Sequence, residues 1–161
     1  MPSPVPDSDP FRVTIALPDL DRTLRLAARL APLGRAGDCV ALWGDLGAGK
    51  TEFARGWLRA AGVTEEVPSP TFALVQPYET ALGPISHFDL YRLEGPGDVD
   101  EVGFEAALDE GLVLVEWPDR LGHRLPAERL DIELTLDPAG GRQAVLTGHG
   151  GWAARLATVA P

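Results

Sequence analysis

Residues 44–51 read GDLGAGKT, directly after the apolar run Cys39-Val40-Ala41-Leu42-Trp43 and directly before EFARGWLRAAG. The string satisfies G-x-x-x-x-G-K-[ST], with strand-forming sequence before it and helix-forming sequence after it. Glycines let the backbone turn tightly enough for successive N–H groups to converge on one anion. A helix beginning near Gly49 points the positive end of its dipole at the same place. A strand feeding such a loop and helix, with strands and helices interleaved along the rest of the chain, predicts an α/β fold of three layers. Its sheet is expected to be largely parallel, with antiparallel edge strands.

The loop carries a chemical expectation. Gly44, Asp45, Leu46, Gly47, Ala48, Gly49, Lys50 and Thr51 are expected to wrap the phosphates of a nucleotide. Lys50 reaches the β- and γ-phosphates, and the Thr51 hydroxyl ligates Mg²⁺. Lys50 is the only lysine among 14 basic residues, the other thirteen being arginines. A chain so biased keeps lysine where a compact ammonium on a flexible stem is needed, because a guanidinium is too broad for a phosphate nest. The same fact bears on the base. GTPases usually read guanine with Asn-Lys-x-Asp, which needs a second lysine, so ATP is the expected nucleotide.

A phosphate loop of this type takes a carboxylate for Mg²⁺ from a neighbouring strand end. Glu116 closes the apolar run Leu112-Val113-Leu114-Val115, where a buried acid is costly without a cation partner. It is the acid expected nearest the metal, directly or through water. Asp89 closes Ile85-Ser86-His87-Phe88 and is expected as a second metal-facing or water-positioning acid. Ser69 and Thr71, in the rigid stretch PSPT, can offer hydroxyls to the γ-phosphate or form only a turn. Trp117 can cover the nucleotide or simply pack. Arg55 and Arg92 are possible stabilisers of a transferring phosphoryl group, Arg55 being better placed for a surface role. His87, His123 and His149 show no ligand spacing and read as scattered.

Along the chain, Phe11–Leu17 alternates as a strand, and Asp19 can cap a helix over 20–33. The helix after the loop is expected to stop at Gly62. Strands are expected over Phe72–Glu79, Pro84–Leu90 and Leu112–Trp117, with a short helix near 98–108. Leu130–Leu136 and Gln143–Thr147 suggest a hairpin, and Trp152–Val159 a last helix. At 161 residues the chain suits a single domain over 11–161, with residues 1–10 as a disordered tail.

The formal charge of −10 argues against stable binding of nucleic acid by this chain alone. A role in a nucleic-acid pathway would run through a protein partner. One cysteine, Cys39, excludes an internal disulfide and reads as a small core residue. No apolar run is long enough to span a membrane, and the N-terminus lacks the features of a secretory signal. The expected compartment is the cytoplasm.

Taken together, GDLGAGKT-x-x-x-RG, SPTF, HFDLYRL, EVGFE and LVLVEWPDRL, in that order over about residues 15–135, resemble the bacterial TsaE (YjeE) family. That family is the ATPase component of the machinery for tRNA threonylcarbamoyladenosine. The resemblance implies a compact P-loop α/β fold with weak intrinsic ATPase activity and two protein partners, TsaD and TsaB. It implies that hydrolysis supports repeated turnover of the TsaD–TsaB complex rather than the transfer chemistry. By the same resemblance, Lys50 and Thr51 serve phosphate and Mg²⁺, Glu116 serves Mg²⁺, Asp89 serves hydrolysis, and Trp117 lies beside the site. Many relatives carry a second threonine after the P-loop threonine. This chain carries Glu52, an acid that would repel a triphosphate unless directed away.

Two other classes remain open from the residues themselves. A small-molecule kinase would need an acceptor pocket and usually an arginine-bearing lid, and the acidic loop 94–103 is too short to serve well. A nucleotide-dependent binding module would use ATP to order a partner surface, with hydrolysis incidental.

Overall fold

The computed structural model describes residues 9–70 and 73–159. The expected tail therefore lies outside the described residues up to residue 8, and Thr71 and Phe72 also fall outside them. Among the described residues seven strands and four α-helices follow in order. They are β1 (Phe11–Leu17), α1 (Leu20–Leu30), β2 (Cys39–Trp43), α2 (Lys50–Ala60), β3 (Val75–Thr80) and β4 (Gly83–Asp89). After these come α3 (Phe104–Glu110), β5 (Leu112–Glu116), β6 (Leu130–Leu136), β7 (Arg142–Gly148) and α4 (Gly151–Ala157).

The strands form one sheet in the order β1-β7-β6-β2-β5-β4-β3. β2 pairs in parallel with β5 and β6, and β4 in parallel with β5. The outer pairings β1–β7, β7–β6 and β3–β4 are antiparallel. The parallel centre with antiparallel edges agrees with the expectation from sequence. β2 and β5 lie in the middle because they are apolar on both faces, as strands covered on two sides must be. On one face Val40, Leu42, Leu114 and Ile132 pack with Leu30, Phe53, Trp57 and Trp152 from α1, α2 and α4. On the other, Phe88, Val113 and Val115 pack with Val99, Phe104 and Leu121. Two helical layers thus enclose the sheet.

Asp19 caps α1, its carboxylate accepting from the Arg22 N–H at 2.9 Å. The expected helix over 20–33 ends as α-helix at Leu30, and Ala31–Leu33 continue as a 3-10 turn. Pro32 explains the change, because it has no N–H to donate to a helical carbonyl. Of the strand expected from Phe72, a residue outside those described, β3 is seen from Val75: Leu74 before it has φ +67 and its N–H bonds the Pro70 carbonyl at 2.7 Å. The acidic segment expected to be a short helix is a 3-10 turn over Pro96–Val102 followed by α3, with Gly103 between them at φ +73.

What matters for the site is register. Asp89 is paired with Glu116 at the ends of the parallel strands β4 and β5. Alternation puts Ile85, His87 and Asp89 on the same face as Leu112, Leu114 and Glu116. Ile85, Leu112 and Leu114 belong to the core under α2, so both acids emerge beside the first turn of that helix.

Candidate nucleotide site

The loop between β2 and α2 has the shape its glycines allow. Gly44 sits at φ +147, and a methyl there would stand 2.6 Å from the Leu134 carbonyl oxygen of β6. Gly49 sits at φ +106 immediately before α2. α2 has no side-chain cap at its N-terminus, so the first-turn amides are left for an outside acceptor.

Lys50 is only 5 % exposed. Its ammonium donates to the Gly44 carbonyl and lies 3.4 Å from the centre of the Trp117 ring. Burial pulls its pKa below the usual ammonium range, while the carboxylates of Glu116, Asp89, Asp45 and Asp119 push the other way. An ammonium in this setting gains from an anion brought into the loop.

Thr51 and Glu116 meet across the site: the Thr51 hydroxyl is 2.9 Å from Glu116 Oε1 and 3.1 Å from Oε2. Glu116 is 2 % exposed and also contacts His87 Nε2 at 2.7 Å through Oε2. Asp89, 5 % exposed, accepts from the Tyr91 N–H at 3.0 Å. Trp117 leaves β5 in the left-handed region, φ +59 and ψ +54. That turn is costly for a non-glycine residue, and it lays the indole over Lys50 and against Tyr91, ring centres 5.0 Å apart.

Two adjoining cavities open here. One, about 300 Å³, is lined by Leu46, Gly47, Gly49, Lys50, Thr51, Glu52, Ser69, Asp89, Glu116, Trp117 and Arg142. The other, about 690 Å³, is walled by Gly44, Asp45, Leu46, Ala48 and Trp117 together with Leu42, Trp43, Glu133, Leu134 and Leu136. All the loop residues, both acids and Trp117 therefore face this one place.

Among the remaining candidates, Ser69 lines the smaller cavity, and Thr71 lies outside the described residues. Arg55 lines neither cavity: its Nε donates to the Val67 carbonyl at 2.8 Å and its Nη1 is 3.3 Å from Glu52 Oε2. Glu52 thus has a cation of its own on α2. Arg92 is exposed on the turn after β4 and lines neither cavity. His123 is exposed, and His149 contacts Asp131 at 2.8 Å.

Two residues are new to the site. The sequence reading left His87 scattered, although its i, i+2 relation to Asp89 on a strand is a signal that the two share a face. Arg142 gave no signal: it reaches the loop from the start of β7, its Nη2 donating to the Gly47 carbonyl at 3.1 Å.

The donor set fits magnesium. Mg²⁺ takes oxygen ligands at about 2.0–2.1 Å in octahedral geometry, so neighbouring oxygens stand about 3 Å apart, which is the separation of the Thr51 hydroxyl from the Glu116 oxygens. Among the described residues no group of three His, Cys, Asp or Glu side chains could hold a metal. One hydroxyl and one carboxylate suit an ion that keeps its waters and shares a phosphate.

Comparison with known proteins bears on the family and the fold. The family model described as threonylcarbamoyl adenosine biosynthesis protein TsaE matches residues 17–144. The chain is 42 % identical over 115 residues to the tRNA threonylcarbamoyladenosine biosynthesis protein TsaE of Rickettsia felis, covering 71 % of this chain and 67 % of that one. It is 37 % identical over 138 residues to the protein of the same name from Nostoc sp., covering 83 % and 84 % of the two chains. Its fold superposes on the crystal structure of YdiB from Bacillus subtilis with a TM-score of 0.78 and 28 % identity, over 94 % of this chain and 95 % of that one.

Proposed function

This chain belongs to the TsaE family, and on that premise we propose that it binds and hydrolyses ATP with Mg²⁺ within the tRNA threonylcarbamoyladenosine machinery. The observation that carries the reading is the contact of half-buried Thr51 with buried Glu116 beside the nearly buried Lys50. A carboxylate and an ammonium are costly to bury, and a metal-bound triphosphate would satisfy both.

The residues divide the work. The amides of 47–51 and the start of α2 take the phosphate chain. Lys50 exchanges the Gly44 carbonyl and the Trp117 face for phosphate oxygens. Thr51 and Glu116 would hold Mg²⁺, which supplies neutralisation of phosphate charge when bound. His87 fixes the Glu116 carboxylate from behind, and Asp89 is placed to orient a water and accept its proton. Arg55 keeps Glu52 paired, which answers the repulsion expected from an acid next to Thr51. The larger cavity, with apolar walls from Leu42, Trp43 and Leu134, takes the nucleoside.

A chain of charge −10 is poorly suited to hold tRNA alone. Its place in the pathway is therefore as a subunit that docks on TsaD and TsaB, with hydrolysis supporting their repeated turnover. Among the described residues no helix is long and apolar enough to cross a membrane, in keeping with work beside tRNA in the cytoplasm. The test is phosphate release from MgATP by the purified chain, alone and with the TsaD–TsaB pair. Release that needs Mg²⁺ and rises with the pair supports the proposal. Absence of both binding and release refutes it, and ADP formed only with an added small-molecule acceptor, with the phosphoryl group on that acceptor and no phosphate released, would make the chain a kinase.

A further inference from the structure

The smaller cavity receives a second cation besides Lys50. Arg142 is not part of the glycine loop or of the strands that carry the acids. Its backbone is held on both sides in the sheet, paired with Leu136 of β6 and Leu17 of β1. The hairpin ahead of it is closed by Asp137 N–H to the Gly141 carbonyl at 3.0 Å and Gly140 N–H to the Asp137 carbonyl at 2.9 Å. From this fixed base the side chain crosses the loop. Its Cδ and Nε stand 3.2 Å from the position a Cβ on Gly49 would take, and its Nη2 holds the Gly47 carbonyl.

The guanidinium is incompletely satisfied. Its Nε is buried and has no hydrogen-bond partner. A buried donor without an acceptor is costly, and here it lies against a loop whose amides converge on an anion site. The charge balance points the same way: with Glu52 paired to Arg55, Asp89 and Glu116 line the cavity against only Lys50 and Arg142. Without the arginine, a polyphosphate would meet two carboxylates and one ammonium.

We propose that Arg142 is a direct ligand of the nucleotide's phosphate chain, a second cation brought to the loop by the β6–β7 hairpin. Its planar fork donates to phosphate oxygens while the stem remains packed on Gly49. This rests on the nucleotide-binding reading above and adds a residue to it.

The test is titration calorimetry of the full chain with MgATP and, separately, with inorganic tripolyphosphate and Mg²⁺, which has no nucleoside. Arg142→Gln is expected to weaken both by about tenfold or more, the scale of one lost charge-assisted hydrogen bond. Arg142→Lys is expected to fall between the two, and thermal unfolding of the free proteins to remain unchanged. Equal affinities for wild type and Arg142→Gln, with binding lost in Lys50→Ala, would overturn the proposal and leave the nucleotide site standing. A loss confined to MgATP, with tripolyphosphate unaffected, would also overturn it. Binding unaffected by Lys50→Ala would instead bring down the reading beneath it.

Discussion

Glu116 offers the sharpest test of how the site is built, because its structural and metal-binding roles can be separated by two substitutions. Glu116→Ala removes the partner of His87 Nε2, at 2.7 Å, from a ring that is 0 % exposed and whose Nδ1 has no other partner. Leaving a buried donor unpaired costs about 1–3 kcal/mol. The deleted methylene adds about 0.8 kcal/mol. The expected destabilisation is about 2–4 kcal/mol, a fall in melting temperature of about 5–15 °C for a domain of this size. Glu116→Gln keeps the volume and a carbonyl oxygen that accepts from the His87 N–H, so it is expected within about 1 kcal/mol of wild type. Both variants lose the anionic oxygen beside Thr51, so both are expected to lose the Mg²⁺-dependent part of ATP affinity. Circular-dichroism melts in EDTA read the first effect, and calorimetric titration of ATP with and without Mg²⁺ reads the second. A Glu116→Ala protein melting with wild type would refute the buried contact, and full Mg²⁺ dependence in Glu116→Gln would refute the metal assignment.

Three further expectations come from the same geometry. Gly44→Ala drives a methyl to 2.6 Å from the Leu134 carbonyl oxygen at a backbone angle of +147°, so it should destabilise by about 2 kcal/mol or more; an unchanged urea midpoint would contradict this. Arg55→Ala frees the Val67 carbonyl and leaves Glu52 without its cation, so amide exchange over 63–70 should quicken and MgATP affinity should drop, the affinity returning in the double variant with Glu52→Gln. Cys39 is 0 % exposed and burial pushes its thiol up to about 12. It stays protonated in the folded chain while the unfolded chain ionises above about 9, so it lowers stability by up to about 1.4 kcal/mol per pH unit across that window. At pH 8 a thiol reagent should label it only at the rate of unfolding, and rapid labelling would contradict the burial.

Much of this was legible in the sequence where chemistry is local. The glycine spacing, the lone lysine, the Asp19 cap and the apolar run ending in Glu116 each concern neighbours in the chain. The α-helical end at Leu30 and the turn before β3 were less legible, because a proline and a left-handed Leu74 act on single turns. His87 and Glu116 are 29 residues apart, and their contact depends on parallel register that no single segment states. Arg142 lies 95 residues from Gly47, on a hairpin whose place beside β2 is set by sheet order alone.

The most direct measurement is a crystal structure of the chain with Mg²⁺ and the β,γ-imido analogue of ATP. The account predicts phosphates on the amides of residues 47–51, Lys50 turned from Trp117 to the phosphates, and Mg²⁺ touching both Thr51 and Glu116. A nucleotide bound elsewhere, or a glycine loop left empty at saturating analogue, would contradict it.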